Sequence, residues 1–474
     1  MRARRRWSFG ERRSVPLARG ELGGYHSDDI ARGSRLSITA ALVAGLVQAA
    51  PAFDVEAASR AYLDTLSGAA RAKSDAYFEG GYWLTLWGAL VALLSYWLML
   101  YFGWSAAWRD LAQRISRRKF VQALIYSVPF IIVGALLTLP WTIYNDFFRE
   151  RQYGLLNQDF GAWLGEQGIN LAVGVVGSAL VIAVLFAVIR RWPKRWWIGA
   201  TGALVAMMLL LVLVTPVFLA PLFNKYAPMA AGPMRDQILT MAHAQGIPAD
   251  NVFVFDASKQ TNRVSANVSG IGPTIRISLN DNLLNRATPA GVKAVMGHEM
   301  GHYVLDHVEW MIAQFTVLLL GLMFLLWWSV PRVIMRFGRG WGATGPADLA
   351  AVPVYFLIVT LLMLVATPIT NTLIRRHEIQ ADIFGLDAAR EPDGFAQTAM
   401  QVSKYRKLEP GTIEEALFFD HPSGSNRIHR AMAWKAAHLA ELPADQRGIL
   451  RPPSASTMPP SANATPAPAS TVQR

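Results

Sequence analysis

Residues 297–302 read GHEMGH: two histidines four positions apart, with a glutamate directly after the first. On a helix, side chains at i and i+4 leave the same face. His298 and His302 can therefore hold one metal ion between them, at nitrogen–zinc distances of about 2.0–2.1 Å. Glu299 lies about 100° further round such a helix. From there it reaches a metal-bound water without ligating the metal. Zinc brings the pKa of that water to about 7, and Glu299 would take its proton and pass it to a leaving amine. The chemistry implied is hydrolysis of a peptide bond. Gly297 and Gly301 flank the ligands and let another element pack closely there.

A catalytic zinc usually takes three protein ligands and keeps one position open. The chain has no cysteine, so the third ligand must be His, Asp or Glu. The segment NTLIRRHEIQADIFGLDAAR, residues 371–390, offers Glu378 and Asp382, again four apart and on one helical face. Glu378 is the preferred ligand. Asp382 is placed to hold the outer nitrogen of His298 or His302 and so fix its tautomer. His377 is the rival ligand, ranked lower because it sits off the Glu378–Asp382 face and beside Arg376.

The elements that carry these residues can be outlined. Thr288 as N-cap and Pro289 at the first helical position start the helix that bears the histidines. It closes a polar insert, residues 225–309, in which MRDQILTMAHAQGI predicts a helix. NVFVFD, NRVSANVSG and TIRISL predict strands, the last two joined by turn residues Gly270, Gly272 and Pro273. A small antiparallel sheet is expected.

Around this insert the chain is a membrane protein. Of its 474 residues 53% are hydrophobic and only 16% charged, against roughly 25% charged in ordinary soluble domains. Six apolar stretches, 80–108, 120–145, 167–189, 196–224, 310–331 and 349–374, each supply the roughly 20 residues of a spanning helix. Trp and Tyr crowd their ends, as interfacial residues do. The net charge of +12 falls largely in Arg/Lys clusters between these stretches, where topology signals lie, which argues against nucleic acid as a partner. Clusters at 109–119, 190–195 and 332–339 share one side, the cytoplasmic one by the positive-inside rule. The metal motif then faces the periplasmic side of a bacterial inner membrane.

Residues 1–52 form a basic leader and an apolar run ending in Ala50-Pro51-Ala52, expected to be a secretory signal cleaved after Ala52; an uncleaved anchor helix is the alternative. Residues 53–79 predict an amphipathic helix, grouped with four spans to residue 224. Two more spans occupy 310–374, the rest of the catalytic domain 375–445, and a Pro/Ser/Ala-rich tail 446–474 is expected to be disordered.

The chain resembles the integral-membrane zinc endopeptidases that include the CAAX prenyl proteases and the bacterial HtpX heat-shock protease. The resemblance covers roughly residues 55–435 and rests on HEMGH at 298–302, RRHEIQAD at 375–382 and HPSGSNRI at 421–428, with PLFNKYAP at 221–228 and VSANVSG at 264–270 in support. It implies a mostly helical, multi-span fold around a gluzincin core. One zinc ion would sit on His298, His302 and Glu378, with Glu299 as general base, at a site opening into a space enclosed by membrane helices. By the same resemblance His421 hydrogen-bonds the oxyanion of the tetrahedral intermediate, or else only packs beside Asp420. Arg427 pairs with a site carboxylate such as Asp382. Ser265, Ala266 and Asn267 match the substrate-binding strand, where relatives often read Asn-Ala-aromatic; this departure leaves the substrate preference open. The strand serves as an edge for an extended polypeptide or is an ordinary hairpin strand.

The leading expectation is a zinc metalloendopeptidase acting on membrane-associated or misfolded polypeptides. A transporter is the first alternative, but the spans carry almost no ionisable residue for an ion path. An inactive membrane scaffold is the second, and the intact His298, Glu299, His302 and Glu378 set argues against it.

Overall fold

The computed structural model of the chain describes residues 53–270 and 275–449. The expected signal segment, residues 1–52, the turn at Gly272-Pro273 and the tail from residue 450 lie outside the described residues. Helix α1 (Val55–Leu63) is capped by Asp54, whose carboxylate accepts from the Ala57 N–H at 2.9 Å. The chain turns at Gly68, which has φ 58°, and enters α2 (Gly68–Tyr101). At Gly103, with φ 68°, it turns again into α3 (Trp104–Ile115). The segment 53–79 is thus not one helix, and the first span ends near residue 101 instead of 108. Both breaks are left-handed glycines, a backbone signal that a hydropathy window does not register.

The other membrane-length helices fall where apolarity placed them. They are α4 (Lys119–Thr142), which runs on into a wider π-helical turn over Ile143–Arg149, α5 (Phe160–Arg191) and α6 (Trp196–Val214). Among the described residues six helices are long and apolar enough to cross a bilayer. Their shared core includes Tyr126, Phe186, Trp196, Leu326, Val330 and Tyr355. The basic connections meet at one end of this bundle. Arg109 donates to Gly342 O and pairs with Asp348, both at 2.8 Å, and Arg190 donates to Lys119 O at 3.2 Å.

At the opposite end lies the polar insert. Strand β1 (Tyr226–Pro228) pairs antiparallel with β2 (Val252–Phe255), helix α7 (Pro233–Ala244) lying between them in the chain. Strands β3 (Ala266–Ser269) and β4 (Arg276–Asn280) form an antiparallel pair, and β4 runs parallel to β2. The order is β1-β2-β4-β3, so the sheet is mixed, not antiparallel throughout. After β2 the chain passes out to the edge, runs there as β3 and returns antiparallel to it as β4, which sets β4 alongside β2 in the same direction. Ile238, Val252, Ile277, Leu279, Met296 and Met300 bury the sheet against its helices.

The short helix α8 (Asp281–Arg286) leads to α9 (Pro289–Val304), α10 (His307–Phe337) and α11 (Val352–Ala389). Helices α12 (Pro392–Val402), α13 (Thr412–Phe418) and α14 (Gly424–Ala437) complete the described chain. Helix α1 packs on α12 and α14, where Tyr62 donates to Asp393 at 2.7 Å and the fully buried Lys435 pairs with the same carboxylate at 2.7 Å.

Candidate metal centre

Helix α9 begins as its sequence predicts. Thr288 accepts from the Gly291 N–H at 3.1 Å, and Pro289 takes the first position, where no N–H is needed. Helix α11 crosses α9 through small residues. A Cβ on Gly385 would lie 2.7 Å from the backbone nitrogen of His298, and one on Gly297 would lie 2.9 Å from Gly385 O. Only glycine permits this approach, and it brings Glu378 and Asp382 of α11 against the histidines of α9.

Three candidate ligand residues converge there. His302 Nε2 lies 3.2 Å from His298 Nε2, His298 Nε2 lies 3.3 Å from Glu378 Oε2, and His302 Nε2 lies 3.4 Å from Glu378 Oε1. Ligands about 2.0–2.1 Å from a tetrahedral zinc are separated by about 3.3 Å, so the spacing of the two imidazoles matches that ion, and Glu378 meets one ring through Oε2 and the other through Oε1. Glu378 Oε2 is buried, and the imidazole nitrogens His298 Nε2 and His421 Nε2 each lie 3.3 Å from it. A buried carboxylate oxygen is costly unless positive charge or a donor sits beside it, and a cation between these groups supplies the charge. Two imidazoles and a carboxylate are also a zinc-type donor set. His298, His302 and Glu378 therefore fit a zinc ion.

The electrostatics agree. Burial opposes charge on His298, yet its contacts with Asp382 and Glu378 outweigh that and raise its pKa to about 10. Burial and the charge of His298 push His302 down to about 4. The carboxylates thus draw positive charge to this point, and the two rings cannot both supply it. Burial pushes the neighbouring Glu299 carboxyl up to about 7, with His298 pulling the other way. Glu299 accepts no hydrogen bond from the described residues. It faces a cavity of about 200 Å³ shared with His298, Glu378 and His421.

The residues around this cluster fall into place unevenly. Asp382, fully buried, has Oδ1 2.9 Å from His298 Nδ1. It also accepts from Arg427 at 2.6 and 3.2 Å and from Arg430 at 3.0 Å. Arg427 thus meets Asp382 as expected. Arg430 was missed, although its i, i+3 spacing from Arg427 puts both on one face of α14. His421 Nδ1 is 2.8 Å from Asp420 Oδ1, and its Nε2 turns inward to 3.3 Å from Glu378 Oε2. Burial pushes the Asp420 carboxyl up, but the His421 hydrogen bond and the charge of Arg406 hold it below the ordinary value. His377, the rival ligand, turns away: its Nε2 is 3.1 Å from Gln314 Oε1.

Of the strand residues, Ser265 and Ala266 line the cavity and Asn267 does not. Strand β3 is an edge of the sheet among the described residues. Phe395, Ala399, Val402, Tyr405 and Arg406 also line the cavity, and none of them stood out in the sequence, because α12 and the turn that follows it carry no motif.

Fold and site together define a membrane metalloprotease. The model of peptidase family M48 matches residues 228–435, and the model described as CAAX prenyl protease N-terminal, five membrane helices, matches residues 57–225. The two take in most of the chain, and the chain belongs to peptidase family M48. It is 29% identical over 317 residues to the uncharacterized metalloprotease YhfN of Bacillus subtilis, covering 66% of this chain and 74% of that protein. It is 25% identical over 313 residues to CAAX prenyl protease 1 of Saccharomyces cerevisiae, covering 62% and 69%. Its fold is similar to the crystal structure of S. mikatae Ste24p, with a TM-score of 0.65 at 20% identity over 80% of this chain and 94% of that one.

Proposed function

We propose that the protein is a zinc-dependent endopeptidase of a bacterial cytoplasmic membrane that cleaves extended segments of membrane-associated or misfolded polypeptides. The observation that carries this reading is the 3.2–3.4 Å spacing of the His298, His302 and Glu378 donor atoms, with Glu299 sharing a cavity with His298 and Glu378. Zinc held by these three residues would supply Lewis acidity, making water nucleophilic near neutral pH and polarising the scissile carbonyl.

The chain's own residues do the rest. Ser265 O accepts from the Asn280 N–H at 2.9 Å and so faces β4. By the alternation of an antiparallel strand, Ala266 then presents its N–H and C=O at the open edge. An extended polypeptide pairs there and lies across the cavity. Glu299 takes the proton from the attacking water and returns it to the leaving amine. His421, its Nδ1 held by Asp420, donates from Nε2 to the developing oxyanion.

The bilayer has a reason to be there. Helix α9 ends at Val304, and α10, of membrane-spanning length, starts at His307. The site is thereby pinned at a fixed depth, where membrane-attached substrates are concentrated and bulky folded proteins are kept out. The basic connections at the far end of the bundle favour a periplasmic site. Because the chain has no cysteine, an Asp250→Cys variant tests this: an impermeant maleimide should label it in cells whose outer membrane has been opened, without lysis. The main test is cleavage of an unfolded peptide by the detergent-purified chain. Chelation should abolish cleavage and zinc should restore it; cleavage that survives removal of all metal overturns the proposal.

A further inference from the structure

The two histidines of α9 have their outer nitrogens held by different partners. His298 Nδ1 faces the carboxylate of Asp382. His302 Nδ1 faces another histidine: His307 Nδ1 lies 3.0 Å away. His307 is 1% exposed, and its Nε2 lies 3.1 Å from Gln380 Oε1. Resting on the zinc reading of the site, we propose that His307 is the positioning residue for His302, fixing the tautomer in which His302 offers Nε2 to the metal.

Proton placement decides the role of His307. A carboxamide oxygen only accepts, so the His307 proton lies on Nε2. A neutral imidazole protonated at Nε2 has a lone pair at Nδ1. The 3.0 Å contact between the two Nδ1 atoms needs one proton, and it must come from His302. His302 Nε2 is then unprotonated, at the point where it lies 3.2 Å from His298 Nε2 and 3.4 Å from Glu378 Oε1. The reverse arrangement would put a proton on His302 Nε2, between the other ligands, and close the site to a cation. His307 thus does for His302 what Asp382 does for His298, with a neutral acceptor in place of a charged one.

The backbone shows how His307 gets there. Helix α9 stops at Val304, and Asp306 takes φ 53°, a left-handed conformation uncommon for a residue other than glycine. That turn swings the first residue of α10 back beneath the last turn of α9. Gln380 lies on α11, and the His307 ring sits 4.6 Å from that of His377, whose Nε2 contacts Gln314 of α10. His307 therefore ties His302 to both membrane-length helices that flank the site.

The test is zinc affinity of the full chain in detergent, measured by chelator competition, with thermal unfolding alongside. His307→Leu should weaken zinc binding about 10–100-fold. His307→Asn, whose carboxamide oxygen can accept from His302 near the same place, should recover most of that loss. Wild-type affinity in His307→Leu, or equal losses in the Leu and Asn variants, would overturn the proposal. Should His307→Leu not fold, Gln380→Leu carries the test: it strips only the acceptor from His307 Nε2, so weakened zinc binding is expected and unchanged binding overturns the assignment. A wild-type chain that binds no zinc would instead sink the proposed function, and the two failures are thereby distinguished.

Discussion

A Cβ added to Gly321, on α10 in the membrane bundle, would meet nothing within 4 Å, whereas one added to Gly385 on α11 would lie 2.7 Å from the backbone nitrogen of His298. The contrast extends beyond the two glycines. The bundle core is built of side chains such as Met99, Phe130, Ile182 and Leu326, which need only be apolar and of about the right size. At the candidate metal centre His298, Glu378, Asp382 and His307 are all buried, and each polar atom demands a partner. The bundle confines the chain to a plane and tolerates change. The centre depends on individual contacts and does not.

Breaking the contrast at its strongest point means removing the buried carboxylate. Asp382→Ala leaves Arg427, Arg430 and His298 without their shared partner and should cost about 3–5 kcal/mol, the usual loss on breaking a buried ion pair, read as a lowered denaturation midpoint in detergent. Next comes a change that touches chemistry and not packing. His421→Ala should lower kcat about 10²–10³-fold, as loss of an oxyanion donor does, while zinc content stays at the wild-type level; an unchanged kcat would leave His421 only its contacts with Asp420 and Glu378. The two glycines give the smallest and sharpest comparison. Gly385→Ala should destabilise by about 1–3 kcal/mol through overpacking and Gly321→Ala should stabilise by roughly 0.5–1 kcal/mol through helix propensity. Equal shifts in the two thermal midpoints would mean that the α9–α11 crossing is looser than it looks.

The same contrast explains what the sequence could disclose. Bilayer crossing requires only length and apolarity, so the later spans were legible. The break at Gly103 was not, since a left-handed glycine leaves the hydropathy of its surroundings unchanged. His298, His302, Glu378 and Asp382 were legible because helical periodicity converts four-residue spacing into a shared face. Arg427 was legible through its motif. His307 was not, because its contact with His302 arises only once Asp306 reverses the chain between two helices. The parallel pairing of β2 with β4 was hidden for a related reason: strand order is decided by where the intervening chain runs, and local alternation does not record it. Strand β1, three residues long, is too short to carry a pattern.

The measurement that most directly tests the account is zinc per chain together with peptide cleavage, for the wild type and Glu299→Gln side by side. Glu299 is assigned proton transfer and no share in holding the metal, so both proteins should carry about one zinc and only the wild type should cleave. Cleavage that survives the substitution would contradict the assigned chemistry, and zinc absent from both proteins would mean that the His298, His302 and Glu378 cluster is not a metal centre.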